Sequence, residues 1–247
     1  MKLTGNTIFI TGGGSGIGRG LAEALHALGN QVIISGRRLG SLTQTTDANP
    51  GMQSVQLDIT NPKSIAAVAQ QLITEHPALN VLINNAGVMH FDNVAGAVDE
   101  DLITSTITTN LMGPIRMTGA LVEHLKQHET ATIINVSSVL GFVPMATTAV
   151  YSSTKAAMHS YTQSLRFRLR DSSVTVRELA PPWVRTDLLN SSEEPRAMPL
   201  AEFISETMAI LGTDSEEMIV ERAQLLWSKI GDTSFTTQFN DTLEQPQ

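Results

Sequence analysis

Short apolar, β-branched runs alternate along the chain with longer stretches in which apolar residues recur every three or four positions. The short runs predict β-strands at Thr7–Thr11, Gln31–Ser35, Ser54–Leu57, Val81–Asn84, Thr132–Val136 and Val174–Glu178. The longer stretches predict helices at Ile17–Leu28, Pro62–Glu75, Glu100–His128, Val150–Arg170 and Leu200–Leu211. This βαβα alternation predicts an α/β fold, a single doubly wound Rossmann-type domain whose parallel sheet of about seven strands carries helices on both faces.

The C-terminal part of the chain departs from this alternation. Residues Pro181–Pro199 carry four prolines among scattered polar residues, which predicts a loop. Met218–Val220 is expected to be an edge strand at best, and the polar tail after Gly231 is expected to fray. Since no linker or repeat is visible, we expect residues 1–247 to form one domain with a substrate lid at about 183–212.

Composition narrows the function classes. The net charge of −8 disfavours nucleic acid and anionic lipid as partners. The absence of cysteine removes disulfides, thiolate nucleophiles and cysteine-ligated metals. The N-terminus lacks the apolar segment of a signal peptide, and no stretch approaches the roughly 20 apolar residues that span a bilayer. We therefore expect a cytoplasmic protein that acts on a small molecule.

A glycine-rich turn, Thr-Gly-Gly-Gly-Ser-Gly-Ile-Gly, joins the first strand to the first helix. Glycines let the backbone approach a ligand closely, and the helix N-terminus attracts a pyrophosphate. The spacing fits T-G-x-x-x-G-x-G and neither G-x-G-x-x-G nor a P-loop. A plain turn is the alternative, but the strand–turn–helix context favours a dinucleotide site that includes Gly12, Gly14, Ser15, Gly16, Ile17 and Gly18.

The end of the second strand indicates which dinucleotide is bound. An NAD site would place an acidic residue there for the ribose 2′-hydroxyl, whereas this chain has Arg37 and Arg38 and no acidic residue before Asp47. Two arginines can simply be solvated surface charges. Because planar guanidinium groups pair bidentately with phosphate oxygens, we favour NADP(H).

Tyr151 and Lys155 stand four residues apart in a predicted helix and therefore share one face. We expect the ammonium to lower the pKa of the phenol, which would suit it to acid–base chemistry. Such a pair occurs by chance in many helices, and taken alone it favours a packing role. Its context points to chemistry, because Ser138 follows the fifth strand at the edge where open α/β sheets bind ligands.

Together these motifs resemble those of the classical short-chain dehydrogenases/reductases over nearly the whole chain. The same resemblance covers Asp58, the turn Asn84-Asn85-Ala86-Gly87, and Asn110. The C-terminal pattern is similar to that of a subgroup of oxidoreductases associated with teichoic-acid D-alanylation gene clusters. The extended relatives, many of them epimerases and dehydratases, carry a different glycine pattern.

The resemblance implies a catalytic set of Asn110, Ser138, Tyr151 and Lys155. Tyr151 would protonate a carbonyl oxygen that Ser138 orients, while Lys155 would bind the nicotinamide ribose and lower the pKa of the tyrosine. Tyr151 and Lys155 would thus also contact the cofactor. The remaining cofactor contacts would come from Asp58, Ile59, Asn84, Ala86, Gly87, Pro181, Val184 and Thr186.

Pro114 gives Asn110 a physical argument of its own. Proline cannot donate a hydrogen bond to residue 110, and its ring crowds that carbonyl, so we expect a kink that frees the Asn110 oxygen. The family similarly uses this carbonyl to hold a water of the proton relay.

Two departures from the family pattern concern the C-terminal part. Pro182 stands where the family has glycine, and the strand ending in Val-Asp-Gly-Gly of many tetramers is absent. We therefore expect a homodimer rather than a tetramer. The substrate pocket is expected to include Val139, Phe142, Met145 and Trp183, with Met89, His90, Phe91 and the Leu188–Phe203 lid beside them.

The leading hypothesis is NADPH-dependent reduction of a ketone or aldehyde to an alcohol. A non-catalytic NADP(H)-binding sensor or scaffold is the alternative, and an epimerase or dehydratase with tightly held NAD is the third. No metal is expected, because His124 and His128 lie one helical turn apart without an evident third ligand.

Overall fold

The computed structural model describes residues 1–97 and 99–244, which contain one parallel sheet of seven strands. The strands are β1 Thr7–Thr11, β2 Gln31–Gly36, β3 Gln53–Gln56, β4 Leu79–Asn84, β5 Ala131–Val136, β6 Val174–Leu179 and β7 Glu217–Met218. Their order, β3-β2-β1-β4-β5-β6-β7, reverses direction between β1 and β4, and such a reversal opens a ligand crevice at the carboxyl ends of the strands. The expected doubly wound Rossmann-type fold is confirmed.

Helices cover both faces of the sheet. They are α1 Gly16–Ala27, α2 Leu39–Ala48, α3 Pro62–Glu75, α4 Glu100–Ile107, α5 Gly113–Leu125, α6 Ala149–Leu169, α7 Leu200–Leu211, α8 Gln224–Trp227 and α9 Thr233–Glu244. Over the described residues, none of these helices is both long and apolar enough to cross a membrane.

The core lies in two layers, one on each face of the sheet. In β1, Ile8 and Ile10 join the layer that includes residues of α1 and α7, whereas Phe9 joins the layer that includes residues of α3 and α5. A central parallel strand is buried on both faces and therefore has a continuous apolar sequence. This is why the central strands were predictable from the sequence.

Several helices differ from the sequence prediction, which also did not include the short α8. α2 was not predicted, because only Leu42 and Thr45 of its largely polar sequence are buried. The prediction of a frayed tail after Gly231 is wrong over most of its length, since α9 forms there and the Asp232 carboxylate accepts from the Phe235 N–H at 2.9 Å. An N-cap carboxylate of this kind satisfies an otherwise unpaired N–H of the first turn. Residues 245–247 of that tail lie outside the described residues.

The long helix expected over 100–128 is interrupted next to Pro114. A π-helical turn, Thr108–Met112, separates α4 from α5, and the Gly113 N–H donates to the Thr108 carbonyl five residues back. The break lies where the proline predicts it. It positions Asn110 within the wide turn.

The buried guanidinium of Arg177, in β6, fixes the end of α7. It donates to the carbonyls of Leu211 at 2.9 Å, Ile210 at 3.1 Å and Ser215 at 2.7 Å. A cation at a helix C-terminus satisfies carbonyls that lack intrahelical partners and interacts favourably with the helix dipole. Arg177 therefore attaches α7 to the edge of the sheet.

The Pro181–Pro199 segment is a loop, as predicted, and it closes on itself. Val184 pairs with Met198 in an isolated bridge, and the Met198 N–H donates to the Trp183 carbonyl at 2.8 Å. Met198 is fully buried at the base of this closed loop.

Candidate functional site

The glycine positions in the turn between β1 and α1 leave little room for a side chain. Gly12 and Gly16 have φ of +68° and +52°, and a Cβ built on Gly18 would lie 2.3 Å from the Gly12 carbonyl oxygen. The Ser15 side chain makes no capping bond to α1 within the described residues. The first N–H groups of the helix thus lack a side-chain partner, a cradle that fits a dinucleotide pyrophosphate.

Asn85, which the sequence analysis did not choose as a site residue, holds this turn in place. Its amide donates to the carbonyls of Thr11 at 3.0 Å and Gly12 at 3.2 Å. The Thr11 hydroxyl accepts from the N–H groups of Asn85 and Ala86. Asn84, which the sequence analysis did choose, instead points into the core. Alternation along β4 was the signal that could have separated these neighbours.

Asn84 belongs to a buried chain of hydrogen bonds beneath the sheet edge. Its amide donates to Thr118 Oγ1 at 3.0 Å and to Asn135 Oδ1 at 2.9 Å, and Asn135 donates onward to Thr162. These bonds join α5, α6 and the sheet, so Asn84 supports the site from below.

The expected adenosine end of the site lies along β2 and β3. Arg37 and Arg38 are exposed, and within the described residues neither forms an ion pair. Asp58 uses Oδ1 to accept from the Thr60 N–H and hydroxyl at 3.0 and 2.7 Å. Ile59 is buried beside α5. Two unpaired guanidiniums beyond the strand end fit a ribose 2′-phosphate.

The start of the lid reaches the glycine turn. A Cβ built on Gly16 would lie 3.3 Å from Thr186 Cβ, so Thr186, expected to contact the cofactor, lies beside the glycine turn. Val184 is buried, and the Pro181 carbonyl accepts from the Val139 N–H at 3.1 Å. The double-proline segment therefore fixes the strand end that carries Ser138.

Ser138, Tyr151 and Lys155 come together at the carboxyl ends of β5 and β6, and all three are buried. The Ser138 side chain lies near enough to the Tyr151 phenol to lower its pKa. The Lys155 ammonium lies 5.5 Å from the centre of the Tyr151 ring and donates to the Val136 carbonyl at 2.9 Å. The spacing of four residues in α6 produces the expected pair.

Burial dominates the titration of this group. It raises the pKa of Tyr151 to about 12, and the neighbouring Ser138 side chain offsets this only in part. Burial also lowers the pKa of Lys155 to about 8, against the opposing charge of Glu178. The expected lowering of the Tyr151 pKa is not found in the protein alone, because burial of the phenol is the largest influence on this pKa and raises it. Tyr151 consequently holds its proton at neutral pH.

The Asn110 side chain fixes the loop after β4. Its Oδ1 accepts from the Val88 N–H at 2.8 Å, and its Nδ2 donates to the Val88 carbonyl at 2.8 Å and to Thr154 at 3.3 Å. Gly87, in the same loop, lies beside Lys155, since a Cβ added to Gly87 would be 3.8 Å from the Lys155 ammonium. Asn110 thus joins the β4 loop to α6.

Several residues expected in the substrate pocket have other surroundings. Val139 lies in the core, and Phe142 is buried with its ring 4.9 Å from that of His159. Trp183 is 43% exposed, and its ring lies 5.2 Å from the Arg196 guanidinium. Met145 is partly exposed, and its N–H donates to Ser152 at 3.3 Å. Of the remaining pocket residues, Met89 is partly exposed, whereas His90 and Phe91 are exposed.

The two neighbouring histidines of α5 interact with each other. The ring nitrogens of His124 and His128 lie 3.3 Å apart. Burial is the main cause that lowers the pKa of His124, and the charge of His128 is the second cause. Across the described residues, no third ligand-type side chain joins them.

A second cluster of titratable groups beside the site was missed by the sequence analysis. Ser137 and His159 both donate to the fully buried Glu178 carboxylate. His159 continues the four-residue spacing of Tyr151 and Lys155 along α6, and that spacing was the available signal.

Comparison with known proteins gives concordant matches. Residues 6–197 match the short chain dehydrogenase family. The uncharacterized oxidoreductase DltE of Bacillus subtilis (strain 168) is 38% identical over 207 residues, which are 83% of this chain and 82% of the relative. The 3-oxoacyl-[acyl-carrier-protein] reductase FabG of Vibrio cholerae serotype O1 is 30% identical over 210 residues, 82% of this chain and 83% of the relative. The crystal structure of a short chain dehydrogenase from Burkholderia cenocepacia J2315 in complex with NADP covers all of both chains at 27% identity with a TM-score of 0.85.

Proposed function

Because the chain belongs to the short-chain dehydrogenase/reductase family, a family of oxidoreductases, we propose that it reduces a ketone or aldehyde to an alcohol with NADPH. One observation carries the proposal. The buried Ser138, Tyr151 and Lys155 meet at the sheet edge that also carries the glycine cradle of Gly12–Gly18. A binding module requires the cradle but has no use for a buried phenol with a serine and an ammonium beside it.

Each side chain of this group has a defined task in the proposed reaction. NADPH, when bound, supplies the hydride that is added to the carbonyl carbon. Tyr151, with a pKa of about 12, is protonated at neutral pH and donates this proton to the carbonyl oxygen, which completes the alcohol. Ser138 hydrogen-bonds the same oxygen and orients it. Lys155 binds the nicotinamide ribose and supplies positive charge as Tyr151 loses its proton.

The cofactor preference is proposed from the adenosine end of the site. Arg37 and Arg38 would pair with the 2′-phosphate, and Asp58 would accept from the adenine amino group. The relative from Burkholderia cenocepacia, whose crystal structure contains NADP, supports this choice. The FabG relative, a 3-oxoacyl reductase by name, supports a carbonyl substrate.

The remaining expectations belong to the same proposal. The enzyme works in the cytoplasm as a homodimer on a moderately hydrophobic carbonyl compound. Within the expected lid at residues 183–212, the loop before α7 is proposed to close over the substrate.

The test follows the absorbance of NADPH and NADH at 340 nm against ketones, aldehydes and quinones, for the wild type and Tyr151→Phe. We expect carbonyl-dependent loss of NADPH that falls by about 10³-fold in the variant, because the phenyl ring cannot donate a proton. Tyr161→Phe, on the same helix, is the matched control and should retain activity. A preference for NADH would contradict the roles of Arg37 and Arg38.

Tight NADPH binding without turnover of any carbonyl would favour the sensor or scaffold alternative. Tyr151→Phe activity equal to that of the wild type would remove the tyrosine from the reaction.

A further inference from the structure

Glu178 is a fully buried carboxylate that the proposed reaction does not use. The Ser137 hydroxyl donates to its Oε1, and the His159 Nδ1–H donates to its Oε2 at 2.7 Å. A buried carboxylate is strongly destabilising unless it is paired and hydrogen-bonded. Glu178 has both kinds of partner, and they come from the two elements that carry the proposed catalytic group.

The place of Glu178 in the fold joins three elements. Ser137 follows β5 and directly precedes Ser138, and its N–H donates to the Leu179 carbonyl of β6 at 2.8 Å. His159 lies in α6 one turn beyond Lys155, whose ammonium donates to the Val136 carbonyl. The carboxylate therefore connects the end of β5 to α6, next to both Ser138 and Lys155.

We propose that Glu178 is a positioning residue of the active site, which holds the Ser138 strand end against α6 and supplies the negative charge that balances the Lys155 ammonium. This inference rests on the proposed reductase function. His159 fastens the carboxylate from the solvent side, where the exposed Gln163 amide lies 3.0 Å from its second ring nitrogen.

The electrostatics of the cluster agree with this geometry. Burial lowers the pKa of Lys155, and Glu178 is the charge that opposes the shift. The hydrogen bond that His159 donates to Glu178 raises the pKa of His159. Burial opposes this shift, the charges of Glu178 and Glu217 add to it, and Arg166 acts against it. The pKa of Glu217 is raised first by burial and then by Glu178. Without the Glu178 charge, Lys155 would lose its proton at lower pH.

A metal ion is the competing explanation for this cluster. Ligand-type atoms of His159, Glu178 and Glu217 all lie within 4.8 Å of one another. However, Arg166 already pairs with Glu217 at 2.9 Å, and Ser137 and His159 occupy the two oxygens of Glu178. These contacts therefore form a hydrogen-bonded cluster that already contains a cation, the Arg166 guanidinium.

The first experiment measures the free energy of unfolding against pH for the wild type, Glu178→Gln and the matched control Glu216→Gln. Glu216 pairs with Arg166, as Glu217 of the cluster does, but the Glu216 side chain is exposed. The pKa of Lys155 is about 8 in the fold and 10.5 in the solvated side chain, so the unfolded chain binds more protons between these values. Stability therefore rises with pH across this window, and Lys155→Met identifies the lysine contribution.

In Glu178→Gln we expect this rise to begin about one pH unit lower, because the ammonium has lost its balancing charge. Glu216→Gln should leave the onset unchanged. An onset in Glu178→Gln that superposes on the wild type would overturn the proposal. So would an equal displacement in Glu216→Gln.

The second experiment measures kcat/KM against pH for the same proteins. We expect the alkaline fall of Glu178→Gln to move to lower pH, with about a threefold loss at pH 7.5 that approaches about tenfold above pH 9 and lies mainly in kcat. His159→Asn, whose amide can still donate to Glu178, should retain most of the activity that His159→Leu loses. A uniform loss at every pH would indicate a purely structural role and contradict the proposal.

The two experiments separate the failure of this inference from that of the proposed function. A displaced unfolding onset without carbonyl turnover in the wild type would leave the placement of Glu178 standing and refute the reductase. An active reductase with an unchanged onset would do the opposite. Stoichiometric shifts of the His159 NMR signals on addition of Zn²⁺ alone would identify a metal site and overturn the proposal.

Discussion

The two ends of the site are constructed in opposite ways. At the cofactor end, the glycine turn leaves out side chains, and backbone atoms pack so closely that a single methyl group on Gly18 would overlap Gly12 and Asn85. At the catalytic end, Tyr151 and Lys155 are polar side chains buried against their preference for water, with pKa values of about 12 and 8. Shape defines the first end, and desolvated polar groups define the second.

This difference determines how each end should respond to mutation. The cofactor end is stable because its geometry is close-packed, so an added atom should harm both fold and binding. The catalytic end holds polar groups whose burial is unfavourable, so removal of one should harm activity while it relieves the fold.

The largest effect on cofactor affinity and stability together is expected for Gly18→Ala, because its Cβ would lie 2.3 Å from the Gly12 oxygen and 2.4 Å from the Asn85 amide. The turn must deform, and we expect NADPH affinity to fall by on the order of 100-fold together with a loss of stability. Fluorescence titration with NADPH and thermal unfolding measure the two effects. Gly119→Ala is the control, since its Cβ would meet no atom within 4 Å. Unchanged NADPH affinity in Gly18→Ala would show that the cradle does not bind the cofactor.

For Lys155→Met we expect a change in stability of opposite sign, that is, a rise in the free energy of unfolding. At pH 7 the buried ammonium is less stable than a neutral group by about 3 kcal/mol, and the lost bond to Val136 returns about 1 kcal/mol. We therefore expect the free energy of unfolding to rise by about 2 kcal/mol while carbonyl reduction falls by at least about 100-fold. Urea unfolding at pH 7 measures the first quantity.

Lys126→Met is the control for this change, because Lys126 forms an exposed ion pair with Glu123 and should alter stability little. A Lys155→Met variant less stable than the wild type would mean that the ammonium supports the fold. The two ends of the site would then respond alike.

The smallest effect concerns Asn240, on α9. Its amide accepts from the Ala146 N–H at 2.6 Å and donates to the Pro144 carbonyl at 3.0 Å, so α9 holds the loop that bears Met145. In Asn240→Ala we expect KM for the carbonyl substrate to rise roughly fivefold while NADPH affinity stays constant. Gln238→Ala, exposed on the same helix, is the control. A change in NADPH affinity would place α9 at the cofactor end instead.

The sequence predicted the sheet and the central residues of both ends because their signals are local. Continuous apolar runs identify buried parallel strands. The glycine spacing lies within the single turn between β1 and α1, and the Tyr151–Lys155 spacing lies within one turn of a helix. The break beside Pro114 was also local, since proline removes a donor at a fixed offset.

What the sequence did not reveal depends on contacts between distant segments. Glu178 and His159 lie 19 residues apart and meet only once β6 packs beside α6. Alternation along β4 could have separated Asn85 from Asn84, but the partners of each residue, Thr11 and Thr118, come from distant segments. Burial also reversed the expected pKa shift of Tyr151, because desolvation by tertiary packing has no signature in the sequence near the residue.

The Arg177 anchor determines which part of the lid can serve as a gate. Its three bonds hold the carboxyl end of α7, while Phe203 and Leu211 are buried in the core and Ile204 packs closely against Gly20 of α1. A helix held along its length in this way behaves as part of the frame. If the proposed lid moves, we therefore expect its motion to be confined to the closed loop between Val184 and Met198, whose paired ends would act as the hinge.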